Sequence, residues 1–429
     1  MIRLIYNLFW PIGLLFFLPG YLVKMVRRGG YGEKFGQRLG CYDVDLRARL
    51  AKQRSTWLHA VSVGEVAVAL KLASRLRALE PDVPFVLTTT TTTGFSFAKK
   101  NAPSWIEVMY TPLDFWPIMR RAFNVIQPAR IVLTEAEVWP NLVAETNSRG
   151  IPIALVNARL SPRSERRLRQ FRFAVARIFR LLDLVCVQEP ADIERWAALG
   201  VDRARIHQVG SIKYDPEDVH VDLAPVQKIL RELEIDERRP ILMGGSTHAG
   251  EEEILGTIMR DLRAEFPELF LVVAPRHVER ADEVRRVFER LDLKVVRRSA
   301  LSFPPAAVDC LVLDTTGELR SWYAIATVVF IGKSLTARGG QNPVEPILAG
   351  KPVIFGPHME NFRVLAQTLT RNGGALQVNS SSELERALVD LLRNSRVREQ
   401  MVMKARALVD VHGGATARAA QLLVDLAKS

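Results

Sequence analysis

Short apolar runs rich in Val, Ile and Thr alternate with helical stretches along most of this chain, in two series separated by one aperiodic break. In the first series "TWLHAVS", "PFVLTTT", "RIVLTEA", "IPIALVN" and "LVCVQ" read as strands, with helical stretches at 65–80, 140–149 and 191–199 between them. The second series runs "PILMGGS", "LFLVVAP", "LKVVRR", "CLVLDT", "TVVFIG" and "PVIFGP", each followed by a helical segment. Strands apolar on both faces need cover on both faces, so the alternation predicts parallel sheets flanked by helices. The break, "GSIKYDPEDVHVDLAPVQ", is polar, proline-bearing and without period, as a linker is. The chain's 429 residues suit two domains of ordinary size. The reading is therefore α/β, two Rossmann-like doubly wound domains facing across a cleft, where ligands of such sheets bind. The expected division is an N-terminal anchor over 1–26, a first domain over 27–212, a linker over 213–238 and a second domain over 239–405. A C-terminal helix, 406–429, should pack across the junction.

The anchor rests on "LIYNLFWPIGLLFFLPGYLV", residues 4–23, which carries no formal charge and has about the length needed to cross a bilayer core. No small-residue cleavage site follows it. Lys24, Arg27, Arg28, Lys34 and Arg38 come next, and the positive-inside rule then keeps the body in the cytoplasm. Pro11, Pro19 and Asn7 leave a segment lying in the membrane interface as the rival to a spanning helix. Net charge is +12, which suits anionic partners. Arginine is spread along the chain rather than gathered in an arm, so nucleic acid is not the expected partner. Cys41, Cys186 and Cys310 are far apart, which excludes a disulfide framework or zinc spacing and points to a reducing compartment.

Four stretches carry candidate chemistry. In "VSVGEV", Ser62 and Glu65 form an S-x-x-E capping box around Gly64 at a strand-to-helix turn. Such turns often seat a phosphate, which a carboxylate would repel, so Glu65 either caps the helix or accepts a proton there. "RIVLTEAEVWPNL" sets Glu135 and Glu137 at a strand's carboxyl end, either as a functional pair or as acids favouring a helix dipole. "LMGGSTHAGEEEIL" is a strand, a Gly-Gly turn and Ser246-Thr247, with no acid until Glu251; it fits a phosphate cradle. Arg276 and His277, just past the next strand, would hold a phosphate or carboxylate, or else serve surface salt bridges. In "GGQNPVEPILAG", Asn342 and Glu345 form an N-x-x-E box around a helix starting at Pro343, and a carboxylate there also suits a ribose diol.

Other patterns fail. "GKS" at 332–334 lacks the earlier glycine of a P-loop, since Thr327 stands there. "DVD" at 43–45 reads as a solvated turn, and the histidines form no H-x-x-x-H pair, so no metal is expected. "YTPLDFWPIMRRAF" interleaves aromatics with Arg120 and Arg121; it suits lipid headgroups or a helix with a buried aromatic face.

Taken in order, "GEKFGQRLG", "WLHAVSVGE", "TEAEVWPNL", "NARLSPRS", "VGSIKYD", "GGSTHAGEEE", "APRHVER", "DTTGEL" and "GGQNPVEP…GPHMENF" resemble the Kdo transferases of Gram-negative lipopolysaccharide synthesis over nearly the whole length. The resemblance implies a GT-B fold and metal-independent transfer of Kdo from CMP-Kdo to a lipid A precursor, with release of CMP and no cofactor. The glutamate of the family's S-V-G-E turn, here Glu65, is implied as general base, with Glu135 and Glu137 supporting the same site. It further implies Ser246, Thr247, Arg276 and His277 at the donor phosphate, Glu345 and Asn342 at the ribose, Gly317 and Glu318 in the nucleotide pocket, and Lys213 near the hinge. Ser62, Gly64, Arg120 and Arg121 would face the acceptor or the anionic inner-membrane surface. Three rivals stay open: a GT-B transferase using a UDP-hexose, a sugar-nucleotide epimerase of the same fold, and an inactive nucleotide-sugar binder.

Overall fold

The computed structural model describes residues 4–10, 13, 34–51, 54–160, 162–215, 221–236, 238–301 and 307–428. The chain divides into two compact units, Met1–Asp215 with His412–Ser429, and Pro216–Val411. The first is built on β1 (Ser55–Ala60), β2 (Phe85–Thr89), β3 (Ile106–Tyr110), β4 (Pro128–Thr134), β5 (Ile153–Ala158), β6 (Leu184–Val187) and β7 (Ile206–Gln208). The second is built on β8 (Ile241–Thr247), β9 (Phe270–Pro275), β10 (Val295–Arg297), β11 (Cys310–Val312), β12 (Val328–Ile331), β13 (Val353–Phe355) and β14 (Leu376–Gln377).

Strand order is β3-β2-β1-β4-β5-β6-β7 in the first sheet and β10-β11-β9-β8-β12-β13-β14 in the second. Every pairing is parallel. Chain order therefore reverses between β1 and β4 in one unit and between β8 and β12 in the other. Those are the topological switch points, where the turns after adjacent strands leave a crevice.

Burial explains the strand signals. Trp57 and Ile131 belong to one core cluster, while Leu58 and Val132, their neighbours along the same strands, belong to the other. Side chains alternate across the sheet and helices cover both faces, so the runs are apolar throughout. β3 and β7 left no clear signal because they are the edge strands: Glu107 inside β3 pairs with Arg49 at 3.1 Å, and β7 has only three residues.

Two expectations change. The tail is two helices rather than one. Ser395–Asp410 belongs to the second unit, the chain turns at Gly414 with φ +74°, and Ala415–Lys428 returns to the first. There Ala419, Ala420, Leu423 and Val424 pack with helix Val63–Leu79. Asp215 caps the returning helix by accepting from Gly414 N and Thr416 N, each at 2.7 Å. Asp43 is solvent-exposed as expected, but rather than a plain turn it is the N-cap of helix Val44–Leu50, accepting from Leu46 N at 2.7 Å. Among the described residues no helix is long and apolar enough to cross a membrane. Residues 4–10 are helical; most of the expected anchor, and 216–220 of the expected linker, lie outside the described residues.

Candidate functional site

At the first switch point, Ser62 caps helix Val63–Leu79 with extended backbone, its Oγ accepting from Glu65 N at 3.4 Å. It donates in turn to Glu65 Oε1 at 2.8 Å. The other oxygen, Oε2, accepts from Val61 N at 2.9 Å, one residue earlier than an S-x-x-E box requires, and lies 3.1 Å from Thr134 Oγ1, whose single proton is shared with His59 O at 2.9 Å. A carboxylate offers about four lone-pair positions, so among the described residues one position on Oε1 is left without a partner. Glu65 is buried, whereas Ser62, Val63 and Gly64 above it are exposed. Among the described residues a Cβ at Gly64 would meet only Ser62 Oγ, at 4.0 Å, so none of them requires glycine there.

The turn after β4 lies beside this one in the sheet order. Glu135 holds φ +56°, a left-handed conformation that costs an L-residue roughly 1–2 kcal/mol. Its amide is pinned to Val156 O at 3.0 Å. Burial, then the charge of Glu65, pushes its carboxyl above the usual range, against the pull of Lys213 and Arg159. Glu137 is pushed up to about 7, first by burial, then by Glu65, with Glu135 adding to it and a hydrogen bond from Trp139 Nε1 at 3.1 Å opposing it. Lys213, expected in a linker, belongs to the first unit. Burial lowers its ammonium pKa, and Glu135 partly offsets that. Around the turn are thus three carboxylates, Glu65, Glu135 and Glu137, and two cations, Lys213 and Arg159, and it holds a group that changes protonation at neutrality, the range suited to proton transfer.

The second switch point is wired differently. Glu251, fully buried, accepts four main-chain amides: His248 N at 2.8, Lys333 N at 2.7, Ser334 N at 2.9 and Leu335 N at 3.0 Å. Glu252 is also buried and accepts from Thr247 Oγ1 at 3.0 Å and Arg280 at 2.8 Å. Thr247 is therefore turned inward, its hydroxyl committed to Glu252. Ser246, at φ +53°, is half-buried, and Arg276 and His277 are exposed just past β9.

The remaining predicted residues of this unit form two pairings. Glu318 accepts from Arg298 Nε at 3.1 Å beside the exposed Gly317, whose φ is +95°. Asn342 Oδ1 accepts from Val344 N at 3.0 Å and its amide donates to Glu345 Oε1 at 3.2 Å, with Arg320 at 3.8 Å from the other oxygen. The helix there is Val344–Leu348, one residue later than expected, and Asn342 reaches Glu345 by its side chain rather than its main chain. Arg120 and Arg121 are exposed on helix Trp116–Ile126, with Arg120 over the half-exposed Trp116 ring at 5.4 Å. Among the described residues no three His, Cys, Asp or Glu side chains form a metal-holding group.

Sequence reasoning missed Asn157. It is buried in a bulge of β5 at φ +52°, and its Oδ1 accepts from Ser211 Oγ at 3.3 Å and Ile212 N at 3.1 Å, just before Lys213. A polar residue ending the apolar run "IPIALVN" was its available signal. It missed Thr134 as a partner of Glu65, and the loop-holding role of Glu251.

Known proteins match the first unit by family profile and nearly the whole chain by sequence. The family profile described as 3-Deoxy-D-manno-octulosonic-acid transferase (kdotransferase) matches residues 33–216. The chain is 32% identical over 404 residues to a 3-deoxy-D-manno-octulosonic acid transferase of Haemophilus influenzae, covering 93% of this chain and 92% of that one. It is 34% identical over 412 residues to the protein of the same description from Bordetella pertussis, covering 93% of each. Among solved structures, UDP-GlcNAc 2-epimerase from Neisseria meningitidis superimposes with a TM-score of 0.53 at 11% identity, over 87% of this chain and 99% of that one. That likeness shows the fold alone, which is GT-B-like.

Proposed function

Because this chain belongs to the 3-deoxy-D-manno-octulosonic acid transferase family, we propose that it moves Kdo from CMP-Kdo to a glucosamine hydroxyl of a lipid A precursor, lipid IVA, releasing CMP. The observation that carries the reading is the buried Glu65, held by Ser62, Val61 and Thr134 with one acceptor position left. It takes the hydroxyl proton as the acceptor oxygen attacks the anomeric carbon of Kdo. The bond from that carbon to the CMP phosphate oxygen breaks in the same displacement, the carbon inverts, and CMP leaves with the electron pair. Gly64 leaves space over the turn for the sugar. Glu135 and Glu137 belong to the same acceptor site, where a group near neutrality shares the proton's passage to solvent.

In the second unit, the leaving phosphate is met by the Ser246 turn and Arg276, with His277 beside it, and no metal takes part. Thr247 supports that turn from inside through Glu252. Glu345 and Asn342 take the ribose, and Gly317 and Glu318 complete the nucleotide pocket. An acylated, phosphorylated acceptor accounts for the basic net charge and for the apolar N-terminus. The body works at the cytoplasmic face of the inner membrane, with Arg120 and Arg121 toward its anionic surface.

The test is CMP release from CMP-Kdo with a tetraacyl lipid A precursor and EDTA present, comparing wild type with Glu65→Ala and Glu65→Gln. Acceptor-dependent release falling by about 10²- to 10⁴-fold in both variants is expected. Release that survives in both moves the base to Glu135 or Glu137. Absence of release from folded wild type, with turnover of a UDP-hexose instead, overturns the donor.

A further inference from the structure

Residues 4–10 form a short helical segment with two unlike faces. Leu4, Ile5, Leu8 and Phe9 are exposed. The other face is bound to the first unit by polar contacts that a mere tether does not need. Asn7 and Asn141 exchange side-chain amides, Asn7 Nδ2 to Asn141 Oδ1 at 2.8 Å and Asn141 Nδ2 to Asn7 Oδ1 at 3.0 Å. Trp116 N also donates to Asn7 Oδ1, at 3.0 Å. Trp10 stacks on Phe115 with ring centroids 5.0 Å apart, and the Tyr6 hydroxyl bonds to Asp114.

Asn141 is fully buried and opens helix Pro140–Ser148, whose N-cap, Trp139, supplies no side-chain cap. A helix start leaves free N–H groups that something must meet. Asp114 meets two of them, accepting from Asn141 N at 3.0 Å and Leu142 N at 2.8 Å, and its carbonyl accepts from Asn141 Nδ2 at 2.7 Å. Trp139 then donates its indole N–H to Glu137. Hydrogen bonds and two main-chain steps thus run without a gap from Asn7 to the carboxylate of Glu137.

We propose that Asn7 is a positioning residue for the transferase: paired with Asn141, it locks the start of helix Pro140–Ser148 and so fixes where Trp139 holds Glu137. This rests on the reading of Glu137 as part of the acceptor site. It makes the N-terminal segment a piece of the active-site scaffold, whatever membrane role its apolar face has. The side chains that set the charge around Glu137 are Glu65, on helix Val63–Leu79, and Glu135, on its own turn.

The test uses the full chain with Asn7→Ala, Asn7→Ser and, on the outward face, Leu8→Ala. One readout needs no catalysis: the pH titration of Trp139 fluorescence across neutrality, taken as the difference from a Trp139→Phe background. The other is kcat against acceptor KM. Asn7→Ala is expected to shift the titration midpoint and to lower kcat by about 10-fold, the scale of a small misplacement of a catalytic group. Asn7→Ser, keeping a hydroxyl, falls between it and wild type. Leu8→Ala changes acceptor KM at most. A wild-type titration and kcat in Asn7→Ala overturn the proposal, and so does a change confined to KM and shared with Leu8→Ala. If wild type shows no Kdo transfer, the function fails while the fluorescence arm still decides whether Asn7 positions Glu137.

Discussion

At the switch point of the first sheet, Glu65 is met by one amide and two hydroxyls and has Glu135 and Glu137 as charged neighbours. At that of the second, Glu251 is met by four amides and Glu252 by Thr247 and Arg280. Both are acids at the start of the helix after a unit's first strand, which is favourable to the helix dipole. In the second unit their hydrogen-bonding capacity is used inside the fold, and Glu251 holds the loop after β12 in shape. In the first unit two neighbouring acids hold their protons more tightly, through burial first and the charge of Glu65 second. The acid with full partners serves the fold; the acid crowded by acids, with an acceptor position open, is the one to which the proposed function assigns the chemistry.

Removing the fully partnered acid should have the largest effect. Glu251→Ala leaves four amides without their acceptor and is expected to destabilise the second unit by about 3–5 kcal/mol. Denaturant unfolding should show the second unit's transition moving while the first unit's does not. Equal movement of both would break the contrast.

The crowded acid should behave in the opposite sense. With Glu137 pushed up to about 7, the folded protein holds this proton more tightly than the unfolded chain does. The group's favourable contribution is then fully present below about pH 4, the unfolded carboxyl range, and is lost as pH rises through about 7. Glu137→Gln removes that loss, so above neutrality the variant should be more stable than wild type by about 1–3 kcal/mol. It should also lose the limb near neutrality in the pH–rate profile. Thermal melts across pH check the first statement, and a variant no more stable than wild type in alkali would remove Glu137 from the crowded group.

The smallest effect sharpens the comparison at Gly64. Alanine meets nothing closer than 4.0 Å there and favours a helix's first turn, so Gly64→Ala should raise stability by about 0.5–1 kcal/mol. Acceptor KM should rise, because the added methyl enters the space above Glu65. Unchanged KM would mean that the acceptor does not approach this turn.

Much of this was legible along the chain. The apolar runs identify five strands of the first sheet and six of the second, because strands covered on both faces need no polar alternation. Ser62 and Glu65, three residues apart, are readable as a cap, and Pro140 as a helix start, since both depend on local backbone alone. Glu135 and Glu137 are readable as a pair, but their raised proton affinity is not, since it comes from burial and from Glu65, far off in sequence. Thr247 was legible as a small polar residue in a turn; only packing decided that its hydroxyl goes to Glu252.

The sequence by itself determined two parallel α/β units, their break and the local caps, because periodicity and capping act over a few residues. Tertiary structure decided which turns became neighbours. Glu251 meets amides 82 to 84 residues later, and Asn7 meets Asn141 134 residues away. Those meetings depend on crossovers that set β4 beside β1 and β12 beside β8, and on packing among segments remote in the chain. No short stretch of chain contains them.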